Sequence, residues 1–186
     1  MSEVIILDAQ YAKDDKHWYK WLSAQLKLEG YDARNIDLPN IDEVSLDTWM
    51  AIIDDAIDQT YEEIYIVAHG LSTRGVLKFL EKTEEKHIQA VFLVSGFELI
   101  PEQYEIKNSQ IKEGHINIER ARAACPQFYS FCAKDDMYVP YTVSQDLSDR
   151  LNGKCYVYDT GGHFCTSDGY ETFMDLKHIM LKQMSR

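Results

Sequence analysis

The chain has 186 residues, a length that suits one domain with a sizeable core, and a single domain over 1–186 is expected. Its 19 Lys and Arg stand against 31 Asp and Glu, and the formal charge of −12 repels phosphate backbones and anionic lipid, so neither nucleic acid nor a membrane is expected as a partner. Hydrophobic residues make up 45% and aromatics 12%, which separates the sequence from acidic disordered tails and points to a packed globular protein.

No apolar run approaches the ~18 residues of a membrane span, and Met1-Ser2-Glu3 lacks the basic start of a signal peptide, so a cytoplasmic location is expected. Cys125, Cys132, Cys155 and Cys165 form no C-x-x-C pair, and reduced structural thiols are expected.

Short β-branched runs alternate with longer stretches of helical period, the pattern of a doubly wound, mostly parallel α/β sheet of six strands. Val4-Ile5-Ile6-Leu7 reads as a first strand covered on both faces. A helix follows with Trp18, Trp21, Leu22, Gln25 and Leu26 at steps of three and four, closed by Gly30. The second strand runs from about Tyr31 to Asp37, and the next helix carries Leu46, Trp49, Met50, Ile53 and Ile57 opposite Asp54, Asp55 and Asp58.

Glu63 to Ala68 is the third strand, and it leads through His69-Gly70 into a helix with Val76, Leu77, Phe79 and Leu80. Gln89 to Ser95 is the fourth. Residues 96–113 lack periodicity and read as a surface excursion. Gln127 to Ala133 is the fifth strand, Pro140 opens a helix that Asn152-Gly153 stops, and Lys154 to Tyr158 is the sixth. A last helix is expected from about Tyr170.

Ligands of such a sheet bind at the carboxyl ends of its strands, which directs attention to Asp8, Asp37, His69-Gly70, Ser95-Gly96, Asp135-Asp136 and His163. Asp136 and His163 follow late strands in the chain order of acid and base in an α/β-hydrolase triad, whose nucleophile follows the third strand. In that turn, Val67-Ala68-His69-Gly70-Leu71-Ser72, the tip is Gly70.

The segments His17-Trp18, Trp21-Leu22, Asp37-Leu38-Pro39-Asn40, Val67-Ala68-His69, Lys78-Phe79-Leu80-Glu81, Leu93-Val94-Ser95-Gly96-Phe97, Asp135-Asp136 with Val139-Pro140, and Gly161-Gly162-His163-Phe164 resemble the small serine hydrolases of the retinoblastoma-binding-protein-nine and YdeN type. The resemblance implies a minimal α/β-hydrolase fold without a cap domain and a Ser-Asp-His triad acting on esters or related acyl compounds. It matches Asp136 to the acid, ahead of its neighbour Asp135, and His163 to the base, and it implies no cofactor. The sequence departs from the family at two places. Gly70 stands at the nucleophile position, which closes the seryl acyl-enzyme route, and Asp8-Ala9 replaces the His-Gly of the oxyanion loop, which with Leu71 would hold the oxyanion donors.

The reading that follows is a serine-hydrolase relative with lost or strongly reduced activity, a pseudoenzyme that binds a small acyl-type ligand or a protein partner. A second reading keeps hydrolysis, through Ser72 as nucleophile or through water activated by His163 with Asp136. Arg74 crowds the Ser72 alternative, since the residue two past an elbow serine is ordinarily small. A third reading places a metal at Asp8, His69 and His163, although no metal-ligand spacing supports it. Cys165 is expected to pack under the last helix, and Tyr11, Tyr104 and Tyr138 are taken first as packing residues near the site edge.

Overall fold

The computed structural model describes residues 2–9, 17–57, 60–83, 87–104, 106 and 114–185. Strands and helices alternate: β1 Ser2–Leu7, α1 Tyr19–Leu28, β2 Asp32–Ile36, α2 Leu46–Ala56, β3 Glu63–His69, α3 Ser72–Lys82, β4 Ile88–Val94, α4 Ile118–Ala123, β5 Phe128–Ala133, α5 Tyr141–Arg150, β6 Lys154–Tyr158 and α6 Met174–Met184. Every pairing is parallel, in the order β2-β1-β3-β4-β5-β6. The order reverses between β1 and β3, so the carboxyl ends of these two strands frame the crevice where open α/β sheets take ligands.

Side chains alternate across the sheet, and each face has its own apolar layer. Ile5, Leu7, Ile66, Ala68, Val91 and Leu93 pack with Trp49 and Ile53 of α2, Val76 and Leu80 of α3, Ile118 of α4 and Leu147 of α5. Val4, Ile6, Val67, Phe92, Val94 and Phe131 pack with Trp18, Leu22 and Leu26 at α1 and Leu176 and Met180 of α6. Both layers explain why the strands read as unbroken apolar runs. Gly75 lets α3 approach α2, for a Cβ there would stand 3.2 Å from Trp49 Cε3 and 3.3 Å from Ile53 Cδ1.

Three details differ from the sequence expectation. The excursion after Gly96 is anchored to the core by buried Phe97, Ile106 and Ile116. It ends in α4, too short at six residues to produce a legible period and capped by Asn117 Oδ1, which accepts from Arg120 N–H. The last helix begins at Met174, because the chain past His163 first makes a short 3-10 turn at Thr166–Asp168. All four cysteines are free thiols, as expected. No helix of the described residues is long and apolar enough to cross a membrane.

Trp18, fully buried just before α1, donates from Nε1 to Phe164 O at 3.0 Å and so ties the first helix to the loop that carries His163. Trp18→Phe removes the donor and leaves that carbonyl unpaired, so urea unfolding should show a loss of about 1–3 kcal/mol. An unchanged midpoint would mean that the tie contributes nothing.

Candidate functional site

The turn after β3 is a tight elbow. Gly70 adopts φ +55°, a left-handed conformation that glycine takes without strain, and its N–H donates to Val94 O at 2.9 Å. A Cβ built at Gly70 would stand 3.1 Å from His163 Nε2, 2.9 Å from the Tyr104 hydroxyl and 3.6 Å from Ala9 Cβ. Position 70 therefore faces the imidazole directly. Ser72, one residue past Leu71, faces away: its buried hydroxyl donates to His69 O at 2.9 Å and accepts from His69 N–H at 3.0 Å. Both of its ordinary hydrogen-bonding roles are spent on closing the elbow.

Asp136 and His163 meet. His163 Nδ1 lies 2.8 Å from Asp136 Oδ2, with side chains 6% and 1% exposed. The Ser95 hydroxyl donates to the same oxygen at 2.8 Å, and Asp136 Oδ1 accepts the N–H groups of Tyr138 and Val139 at 2.9 and 3.0 Å. A carboxylate with four donors is held in one orientation, and it favours the His163 tautomer that carries its proton on Nδ1. Nε2 is then an acceptor, and the Tyr104 hydroxyl donates to it at 3.0 Å. Ser95 holds φ +45°, unusual for a residue with a side chain, and its bond to Asp136 accompanies that strain.

The loop carrying His163 is fastened by two further carboxylates. Asp135 Oδ1 accepts from Gly161 N–H and Gly162 N–H at 2.9 and 2.8 Å, which separates its task from that of Asp136. Asp168 Oδ2 accepts from His163 N–H and Cys165 N–H at 3.0 and 3.1 Å. Cys165 is half-buried, and burial with nearby Asp168 and Asp136 pushes its thiol up to about 12, so it is not a thiolate near neutral pH.

His69 is fully buried beneath His163, the two rings stacked with centroids 5.0 Å apart. Its Nδ1 lies 2.6 Å from the Tyr19 hydroxyl and its Nε2 2.7 Å from His163 O. The Tyr19 hydroxyl in turn accepts Ala9 N–H at 3.0 Å. The chain of donors runs from Ala9 to Tyr19 to His69 to the backbone of His163. Burial, then the neighbouring His163, pushes His69 well below the ordinary histidine range, so it stays neutral. The metal alternative at Asp8, His69 and His163 does not match this geometry, because both ring nitrogens of His69 are already bonded. Among the described residues no group of three His, Cys, Asp or Glu could hold a metal ion.

Tyr104 departs from the packing role expected of it, since its hydroxyl sits on His163 Nε2 while its ring lies 5.0 Å from Phe97. No spacing in the sequence announces this, because Tyr104 belongs to the aperiodic excursion. The Tyr138 ring lies 5.4 Å from that of His163 and is half-exposed, and exposed Met137 and Leu99 flank the same strand ends. Tyr11 lies outside the described residues. Buried Arg74 reaches across to Gly114 O, so the residue that crowds the Ser72 alternative ties α3 to the excursion.

The model of the family described as Serine hydrolase matches residues 4–182. YdeN of Bacillus subtilis is 25% identical over 186 residues, which cover 100% of this chain and 97% of that protein. Serine hydrolase RBBP9 of Rattus norvegicus is 22% identical over 164 residues, 88% of this chain and 86% of its own. The crystal structure of the B. subtilis ydeN gene product superposes with a TM-score of 0.83 at 24% identity, covering 100% of both chains. The fold is a minimal α/β-hydrolase fold, and no cap domain stands over the strand ends among the described residues.

Asp8 follows β1 beside Ala9 and is half-buried, with Oδ1 lacking a hydrogen-bond partner among the described residues. Burial first, and then the charge of Asp37, raise its carboxyl to about 7 against the pull of backbone hydrogen bonds at Asp8 and Leu38. Below about pH 4 it is protonated folded or unfolded and contributes nothing. As pH rises through about 4 to 7 the unfolded chain releases this proton and the folded chain keeps it, so stability falls; above 7 the penalty is constant. Asp8→Asn should therefore raise the melting temperature at pH 8, by a gain of about 1–2 kcal/mol after allowing for partial exposure, and the gain should vanish near pH 4. A gain of equal size at both pH values would dissociate the effect from this carboxyl.

Proposed function

This chain belongs to the serine hydrolase family, and we propose that within it the chain binds a small, uncharged acyl-type ligand over His163 while seryl-ester chemistry is lost or strongly reduced. The observation that carries the reading is the occupancy of His163 Nε2. In a serine hydrolase that nitrogen takes the proton of the elbow serine. Here the elbow tip is Gly70 at 3.1 Å by its would-be Cβ, and the hydroxyl on Nε2 belongs to Tyr104.

Two further features support it. Ala9 N–H, on the loop where the family resemblance implies oxyanion donors, is spent on the Tyr19 hydroxyl. Asp8 beside it resists deprotonation until about pH 7 and above that pH brings negative charge toward the same crevice, which disfavours an oxyanion and an anionic ligand alike. Retention of the Asp136–His163 pair without the elbow serine leaves a polar, oriented floor beneath the half-exposed ring of Tyr138. Such a floor suits a carbonyl-bearing ligand with an apolar substituent.

Treatment with a fluorophosphonate followed by peptide mapping tests the loss of the seryl route: no serine should carry the phosphonate, Ser72 included. A Ser72 adduct that disappears in His163→Ala would overturn the reading. The elbow makes a second expectation. Gly70→Ser imposes a side chain at φ +55° and a 2.9 Å approach to the Tyr104 hydroxyl, so it should destabilise the fold by about 1–2 kcal/mol or more. Part of that cost should disappear when Tyr104→Phe is combined with it, a coupling that a double-mutant cycle reads directly.

A further inference from the structure

We propose that Tyr104 replaces the missing serine as acyl acceptor in a Tyr104–His163–Asp136 relay, and that the substrates it accepts are small acyl thioesters and aryl esters. The inference rests on the preceding reading, in which the seryl route is lost, and it names the chemistry left to the same site. Its motive is geometric. The Tyr104 hydroxyl lies 3.0 Å from Nε2 of a histidine whose other nitrogen is 2.8 Å from a buried carboxylate, the nucleophile–base–orienter arrangement of covalent catalysis. It also lies 2.9 Å from where a Cβ at Gly70 would be, beside the elbow tip. The phenol oxygen thus occupies the neighbourhood that an elbow serine oxygen would use, and Gly70 leaves room for it. The Tyr104 N–H bond to Pro101 O at 2.9 Å and the Phe97 ring hold the residue there.

The reaction balances with the groups present and water. Tyr104 Oη attacks the acyl carbon, a C–O bond forms, and the phenolic proton passes to His163 Nε2, whose positive charge Asp136 offsets. The tetrahedral intermediate collapses, the bond to the leaving sulfur or aryl oxygen breaks, and that atom takes the proton from Nε2 and departs as thiol or phenol. Water then gives a proton to Nε2 as its oxygen attacks the tyrosyl ester. Collapse returns the proton to Tyr104 Oη and releases the carboxylic acid. The sum is thioester or aryl ester plus water giving acid plus thiol or phenol.

The leaving group sets the substrate class. A tyrosine phenol ionises near 10 and a thiol near 8.5, so a thiolate or phenolate leaves from the intermediate at least as readily as the tyrosinate does. An alkoxide or amide anion is far more basic, so an alkyl ester or amide intermediate expels Tyr104 and reverts. The net charge of −12 and the acidic Asp8 and Asp37 at the crevice argue for a thioester without phosphate groups. Half-exposed Tyr138 and exposed Met137 offer apolar surface for the acyl or aryl portion.

The test uses phenyl acetate and S-acetyl-N-acetylcysteamine as substrates, with ethyl acetate as the comparison, on the full chain. The expected result is His163-dependent hydrolysis of the first two, at least about 100-fold faster than ethyl acetate, and an acetyl group trapped by acid quench and mapped to Tyr104, removable by hydroxylamine. Tyr104→Phe keeps the ring and should remain folded with a single cooperative melt, while losing both the adduct and about 100-fold or more of the rate. Equal turnover of phenyl acetate by Tyr104→Phe and wild type would overturn the proposal. No turnover and no adduct would also overturn it, while leaving the loss of seryl chemistry intact. An acetyl group on Ser72 would instead defeat both readings.

Discussion

The bond between His163 Nδ1 and Asp136 Oδ2 is the contact around which the carboxyl edge of the sheet is organised. It joins residues 27 apart, and it exists because β5 and β6 run parallel in register, Ala133 opposite Tyr158, so that the loops leaving both strands emerge on the same side. Burial raises the cost of any misdirected charge there, and the site answers with complete pairing of the Asp136 carboxylate. Ser95 reaches it from β4, and the N–H groups of Tyr138 and Val139 reach it from the start of the next crossover. Four donors from three segments of the chain converge on one side chain.

A second network lies under the first and explains why the floor of the site is rigid. Neutral His69, capped by Tyr19 on one nitrogen and by His163 O on the other, transmits the position of the β1 loop at Ala9 to the backbone of the histidine above it. The arrangement costs the fold a buried imidazole, offset by two short hydrogen bonds and by stacking. It also commits the Ala9 N–H. The site is therefore well ordered around His163, with the Ala9 N–H bonded to Tyr19 and not turned toward the crevice as a free donor.

Much of this was legible before any coordinates. Apolar strand runs, the helix periods of α1, α2 and α3, and the punctuation at Gly30, Pro140 and Asn152-Gly153 carry local physical signals. So do Asp136 and His163, which directly follow recognisable strands, and the glycine at the elbow. The excursion between β4 and β5 was not legible. Its anchors, Phe97, Ile106 and Ile116, are isolated apolar residues whose burial depends on joining the core layer on one face of the sheet. Ser72 looked like a candidate from its nearness to Gly70, yet one step into a helix redirects its hydroxyl to the backbone of His69.

The sequence by itself determined the order of the six strands and of the longer helices, the placement of Asp136 and His163 just past their strands, and the absence of a serine at the tip of the turn, because each depends on neighbours along the chain. Only the tertiary structure decided which hydroxyl meets His163. Tyr104 and His163 are 59 residues apart, and the path that brings them within 3.0 Å is set by loop packing, which has no period to read. Tertiary structure likewise decided the protonation of Asp8, since its carboxyl is raised by burial and by Asp37 on the adjacent strand end, and neither the desolvation nor the facing charge exists until β1 and β2 pair.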